Sequence, residues 1–184
     1  MRKWAPVTLL AVPFLLVGCG YQWVEHIPQR AGAFTTRCST GQLAGALLGG
    51  GFSEPTGQHT VPLVISNTST NGCYLFGYPQ VAFIDGARQT IPFQVQSTGD
   101  QVVTSAAPAR VDLAPHGLAY ITVNKYRCDA GDVAQATTVR VTPPGETESL
   151  EVAISGIAYC GPEDPGSIVQ VSPVAETQQG TLSH

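Results

Sequence analysis

From His59 onward the chain is written in short apolar runs broken by turn chemistry. His59 to Ser66 (HTVPLVIS) is β-branched and apolar, and Asn67 to Gly72 (NTSTNG) is dense in turn formers. Gln80 to Ile84 and Gln89 to Gln96 flank Asp85-Gly86, a hairpin signal. Ala109 to Leu113 alternates apolar with polar and stops at Ala114-Pro115-His116-Gly117; Leu118 to Tyr126 (LAYITVNKY) alternates again. Thr137 to Val141 and Ser149 to Ile154 flank Pro143-Pro144-Gly145, and Ile168 to Val171 is the last apolar run. Thr40 to Gly51 (TGQLAGALLGGG) suits a first strand ending in a loop, with a short helix as the alternative. Runs of this length and composition, bounded by Gly, Pro, Asn and Asp, predict strands. No run has helical periodicity. The pattern predicts an all-β, immunoglobulin-like β-sandwich of about seven to nine strands with two disulfides. The Trp that antibody domains bury between their cysteines is missing, since Trp4 and Trp23 both precede the domain.

The ends of the chain are different in kind. Arg2 and Lys3 open it, and Trp4 to Val17 is uncharged and mostly apolar, the layout of an export signal. The run is shorter than the roughly 20 residues of a spanning helix, and Pro6 and Pro13 interrupt it. Leu16-Val17-Gly18-Cys19 resembles the bacterial lipoprotein signal. That resemblance implies cleavage before Cys19, diacylation of Cys19, and a protein held by lipid on the extracytoplasmic face of a bacterial cell membrane. Two acyl chains give stable anchoring where one is marginal. The expected organisation is a signal peptide over 1–18, a spacer over 19–37, the sandwich over 38–174 and a flexible, polar tail over 175–184.

Charge narrows the partners. Of 184 residues only 12% are charged, with nine Lys and Arg against thirteen Asp and Glu. Two of the nine, Arg2 and Lys3, leave with the signal. So acidic a surface excludes nucleic acid, which needs clustered cations to neutralise phosphates. It also excludes adhesion to anionic lipid headgroups, so the lipid anchor is the expected membrane contact.

Cys38, Cys73, Cys128 and Cys160 remain after Cys19, and no CxxC occurs. Zinc and thioredoxin-like readings lose their main support. An even set of separated cysteines in an exported chain reads as disulfides. Three pairings are open. Cys38–Cys73 with Cys128–Cys160 is favoured, because each bond then joins neighbouring segments. Chain entropy gives roughly 3–4 kcal/mol for each such loop.

Motifs for reactive chemistry are sparse in the chain. No Gly-x-Ser-x-Gly elbow is present; Ser155-Gly156 lacks the leading glycine. No GK[ST] follows Gly49-Gly50-Gly51, which reads as a flexible turn. A dispersed Ser/His/Asp triad would have to use His59 or His116, the histidines inside the domain. Asp129 and Asp132 after Cys128, and Glu163 and Asp164 after Cys160, would approach one another if those cysteines bond. Calcium favours such loop oxygens, but the spacing matches no EF-hand and no metal or cofactor is expected. Tyr74, Phe76 and Tyr78 share one side of an extended segment. They predict core or cross-strand packing beside the disulfide, with an exposed ligand platform as the alternative. Asn67-Thr68-Ser69 fits the glycosylation sequon and reads as a turn.

Asn67-Thr68, then Cys73-Tyr74-Leu75-Phe76-Gly77-Tyr78-Pro79, resembles a family of actinobacterial secreted proteins and lipoproteins catalogued as domain of unknown function 4232. Cys38 matches its early cysteine, and Cys128 and Cys160 its later pair. Leu113-Ala114-Pro115-His116-Gly117 departs from its Leu-x-Pro-Gly turn by an inserted His116. The resemblance covers about Cys38 to Pro173; it supports the sandwich and the disulfides and implies no reaction. The expected function is a non-enzymatic, membrane-anchored module that binds a cell-surface protein or other ligand through loop tips or a sheet edge. The alternative is a small extracytoplasmic hydrolase, which would show His59 or His116 in a pocket beside a serine and a carboxylate.

Overall fold

The computed structural model describes residues 33–49, 52–53 and 56–184. The expected signal peptide, the lipidation candidate Cys19 and the spacer up to residue 32 lie outside the described residues. Twelve strands are present among those described: β1 (Leu43–Leu47), β2 (Phe52–Ser53), β3 (Gln58–Asn67), β4 (Cys73–Phe76), β5 (Gln80–Asp85), β6 (Thr90–Ile91), β7 (Gln94–Gln96), β8 (Arg110–Leu113), β9 (Leu118–Tyr126), β10 (Ala134–Thr142), β11 (Leu150–Tyr159) and β12 (Ile168–Val171). One sheet runs β1-β3-β9-β12-β7, with β2 also on β3; a second runs β11-β10-β5-β6; β4 and β8 form a separate pair. All pairings are antiparallel except β12 with β7. The protein is all-β and sandwich-like, with two disulfides.

The core sits between the two larger sheets. Leu63, Ile65, Ile121, Val123 and Val171 meet Phe83, Val139, Val141, Val152 and Tyr159 in one cluster. Phe93 links the layers, tilted 4.7 Å from the Phe83 ring centroid and edge-on at 5.1 Å from that of Tyr159. These side chains occupy alternate positions on their strands, as a half-buried sheet requires. The apolar run Gln89 to Gln96 becomes two strands in different sheets. Pro92 has no N–H to continue the ladder, and the Phe93 N–H bonds back to the Ile91 carbonyl at 2.9 Å. The β5–β6 turn is organised by Asp85, whose carboxylate accepts from the N–H groups of Ala87 and Gln89.

Two boundaries differ from expectation. Thr36 and Cys38 already add to β4, through Tyr74 N–H to the Thr36 carbonyl and Cys38 N–H to the Tyr74 carbonyl, both 3.0 Å. Residues 36 and 37 are therefore part of the fold, not of a spacer. The C-terminal residues 175–184 are docked, not a flexible tail. Ala175 and Tyr120 exchange backbone hydrogen bonds, Thr104 N–H reaches the Thr181 carbonyl, and Ser183 N–H reaches that of Val102. The reason lies on the outward side of β3 and β9. Thr60, Thr122 and Asn124 are buried there, and buried polar groups need partners. The Thr181 hydroxyl meets that of Thr122 at 2.6 Å, and Asn124 bonds Gln58, Thr60 and Asp100. A third, polar layer formed by residues near 100 and by the C-terminal segment covers that face.

The turn after β8 is settled as well. Gly117 N–H bonds the Ala114 carbonyl at 2.8 Å, and His116 has φ 62°. With Pro115 before it, His116 holds the left-handed position that type II turns usually give to glycine. Asn67 locks this corner. Its amide donates to the carbonyls of Asn71, Leu113 and Ala114, while its oxygen accepts from Ser69. The sequon asparagine is thus a buried structural residue.

Candidate functional site

The site lies where β3 and β9 run out beneath the second disulfide. Register places His59 of β3 directly opposite Lys125 of β9. Along β9, Ala119, Ile121, Val123 and Lys125 share the inward side of the strand. A cation therefore follows three core residues into the interior, where Lys125 is 3% exposed. Its Nζ lies 3.6 Å from Cys160 Sγ and 3.9 Å from Cys128 Sγ. Among the described residues no carboxylate lies within 4.0 Å of it, since the ion pairs all involve arginines. Burial pushes the Lys125 ammonium down from its ordinary pKa, and the charges of Asp132 and Asp164 only partly oppose that. Burial lowers the His59 pKa too, helped by Lys125 and opposed by Asp132, which favours the neutral imidazole.

These groups border a cavity of about 330 Å³, lined by His59, Lys125, Arg127, Cys128, Asp132 and Gln135 and walled by Gly156 to Ala158 of β11. A bulge shapes that wall. Between Ala136 and Thr138 of β10 the partner on β11 jumps from Ile157 to Ala153, and Gly156 turns with φ 51°. Bulges of this kind re-aim strands beside binding sites. Three basic side chains and one carboxylate face the cavity. It offers N–H donors to a small anion; no serine or threonine lines it.

The other candidates fall into place around this site. The four disulfide cysteines pair Cys38–Cys73 and Cys128–Cys160, with Cα–Cα distances of 4.8 and 5.1 Å. His116 is far from the cavity lining and serves the β8–β9 turn. The acidic loops do meet, but in a different role. One Asp164 oxygen accepts from Asp129 and Ala130 N–H at 3.0 and 3.1 Å, the other from Gly166 N–H at 2.8 Å. Burial opposes ionisation of Asp164, yet these three donors and the Lys125 charge hold its carboxyl below the usual range. Asp129, Asp132, Glu163 and Asp164 gather into no metal-holding group among the described residues. Tyr74 and Phe76 face outward while Cys73 and Leu75 fill the core. Tyr74 packs across the strand pair under the Arg110 guanidinium, 3.8 Å from its ring centroid, and Phe76 is 46% exposed.

Lys125, Arg127 and Gln135 are the residues that the sequence reading missed. The signal for Lys125 was present: it has the inward parity of a core strand.

The model of the family described as Domain of unknown function (DUF4232) matches residues 38–175. The chain belongs to this family. Both disulfides and the whole cavity lie inside the DUF4232 match, whereas most of the docked C-terminal segment lies beyond it. No curated protein and no solved structure matches the chain.

Proposed function

We propose that this DUF4232 chain is a lipid-anchored, extracytoplasmic, non-catalytic binding module that takes a small anionic ligand into the cavity at His59, Lys125 and Arg127. The observation that carries the reading is Lys125. A buried ammonium without a carboxylate beside it is costly, and the cost falls when a ligand supplies the opposite charge. Arg127 provides a planar, exposed donor at the mouth, and Gln135 and the neutral His59 add hydrogen bonds. The fixed carboxylate of Asp132 sets a limit on how much negative charge fits. Small mono- and dicarboxylates suit such a space better than polyphosphates.

The anchor rests on Leu16-Val17-Gly18-Cys19, and the two disulfides favour an oxidising compartment. Intact-mass analysis of protein from the membrane fraction is expected to find diacylated Cys19 at its N-terminus; an unmodified Cys19 contradicts the anchor. Titration calorimetry of the folded protein with succinate is expected to give saturable heat that Lys125→Met abolishes. Absence of heat with succinate, acetate and inorganic phosphate alike would reject the ligand reading.

A further inference from the structure

We infer that Cys128–Cys160 is an exchange-reactive disulfide, opened by a small thiol that enters the cationic cavity, while Cys38–Cys73 is inert. Three observations place the chemistry. Cys128 is half-buried and lines the cavity, whereas Cys160 is 5% exposed. The Lys125 ammonium lies within 4 Å of both sulfurs and is near enough to stabilise negative charge that develops on either. Cys160 also lines a second groove, edged by Asp129, Glu163 and Asp164. An incoming thiolate is repelled there and attracted on the Lys125 side. Gly166 packs closely against this sulfur, since a Cβ on it would stand 2.6 Å from Cys160 Sγ.

The step balances as ordinary thiol–disulfide exchange. The thiolate of a low-molecular-weight thiol attacks Cys128 Sγ along the cavity. The Cys128–Cys160 bond breaks, its electron pair passes to Cys160 Sγ, and a new S–S bond joins Cys128 to the small thiol. The Cys160 thiolate forms beside Lys125 Nζ, whose charge makes it a better leaving group. A second small thiol then attacks the mixed disulfide. The protein gains a dithiol and two small thiols are oxidised to their disulfide. Around the nascent thiolate, His59 is neutral, Arg127 and Lys125 are cationic, and Asp132 opposes from the cavity. The Asp164 carboxylate is committed to three backbone N–H groups, which blunts its repulsion. The other bond lacks this setting: Cys38 and Cys73 are each 1% exposed, and among the described residues no lysine lies beside them.

The step needs no bound carboxylate, so it stands or falls apart from the ligand reading. The test exposes the folded protein to limiting 2-mercaptoethanol, quenches with an alkylating reagent and maps the peptides by mass. Cys128–Cys160 is expected to open more than about tenfold faster than Cys38–Cys73, with the adduct on Cys128 and the free thiol on Cys160. Lys125→Met should slow opening by about tenfold, and Lys125→Arg should restore most of it. Equal opening of the two bonds in the wild type, an adduct on Cys160, or Lys125→Met reacting at the wild-type rate would each overturn the inference. The wild-type comparison holds even if a variant fails to fold. Lysine-dependent opening in a protein that gives no heat with succinate would keep this inference and discard the ligand reading.

Discussion

Cys38–Cys73 and Cys128–Cys160 close loops of nearly equal length, 35 and 32 positions, in opposite surroundings. The first bond is sealed in the core beside Leu75, Val111 and Leu113, and the backbone of residues 36 to 38 pairs with β4 over it. The second lies at the open end of the sandwich, with a cavity on one side, an acidic groove on the other and a buried lysine against its sulfurs. Loop entropy therefore treats the two bonds alike, and their environments separate them. A disulfide that only staples is packed like any core residue; one left at a cavity wall with a cation beside it has retained chemistry.

The largest effects come from removing each bond. Replacing both cysteines of either pair by alanine is expected to destabilise the domain by about 2–5 kcal/mol in urea titration. The Cys38/Cys73 variant should lose more, because it also empties two fully buried positions. Equal losses would mean that surroundings matter little and would break the comparison. Gly166→Ala tests the packing of the open end. Its new Cβ would meet Cys160 Sγ and the Arg127 carbonyl, so a loss of about 1–3 kcal/mol is expected, centred on that loop in hydrogen exchange.

Lys125→Met should have the opposite sign. It removes a buried charge and keeps an unbranched apolar chain, so thermal unfolding should show a gain of about 1 kcal/mol. A loss of that size would show that the lysine is a structural support.

The smallest effects are those of pH. The folded pKa of His59 lies below 6.5. Between the two values the unfolded chain binds more protons, so stability falls as pH drops below about 6.5. His59→Gln should flatten that part of the profile. Glu151, held down to about 2 by hydrogen bonds from Arg88 and Arg140, adds stability above pH 4.5 that is lost as pH falls toward 2. Both groups are exposed enough that each contribution is small. A profile unchanged by His59→Gln would show that the open end does not sense this histidine.

Much of the fold was legible because strand alternation reports which side of a strand meets the core. The runs at His59 to Ser66, Leu118 to Tyr126 and Ile168 to Val171 fall on β3, β9 and β12. Alternation fails where the outward side is covered by polar material. Thr122 and Asn124 have the pattern of solvent-facing residues, yet the C-terminal segment buries them, and its own polarity made that segment read as a tail. The turn expected from Asn67 begins one residue later, since Asn67 ends β3 and Ser69 lies in the bend after it, and nothing local says that the Asn67 amide ties three carbonyls together. Of the site, the cysteines and His59 were visible. Lys125 was hidden in the middle of an accepted strand pattern, and Arg127 and Gln135 matter only because the bulge at Gly156 and the Cys128–Cys160 bond bring them to one cavity.

The most direct test of the division between a sealed end and an open one is an amide chemical-shift map of the isotopically labelled protein titrated with succinate. Saturable shifts are expected at His59, Lys125, Arg127 and Gln135, with the amides around Cys38, Cys73 and Leu113 unmoved. Shifts confined to the Cys38–Cys73 end, or no saturable shift at His59 and Lys125, would contradict it.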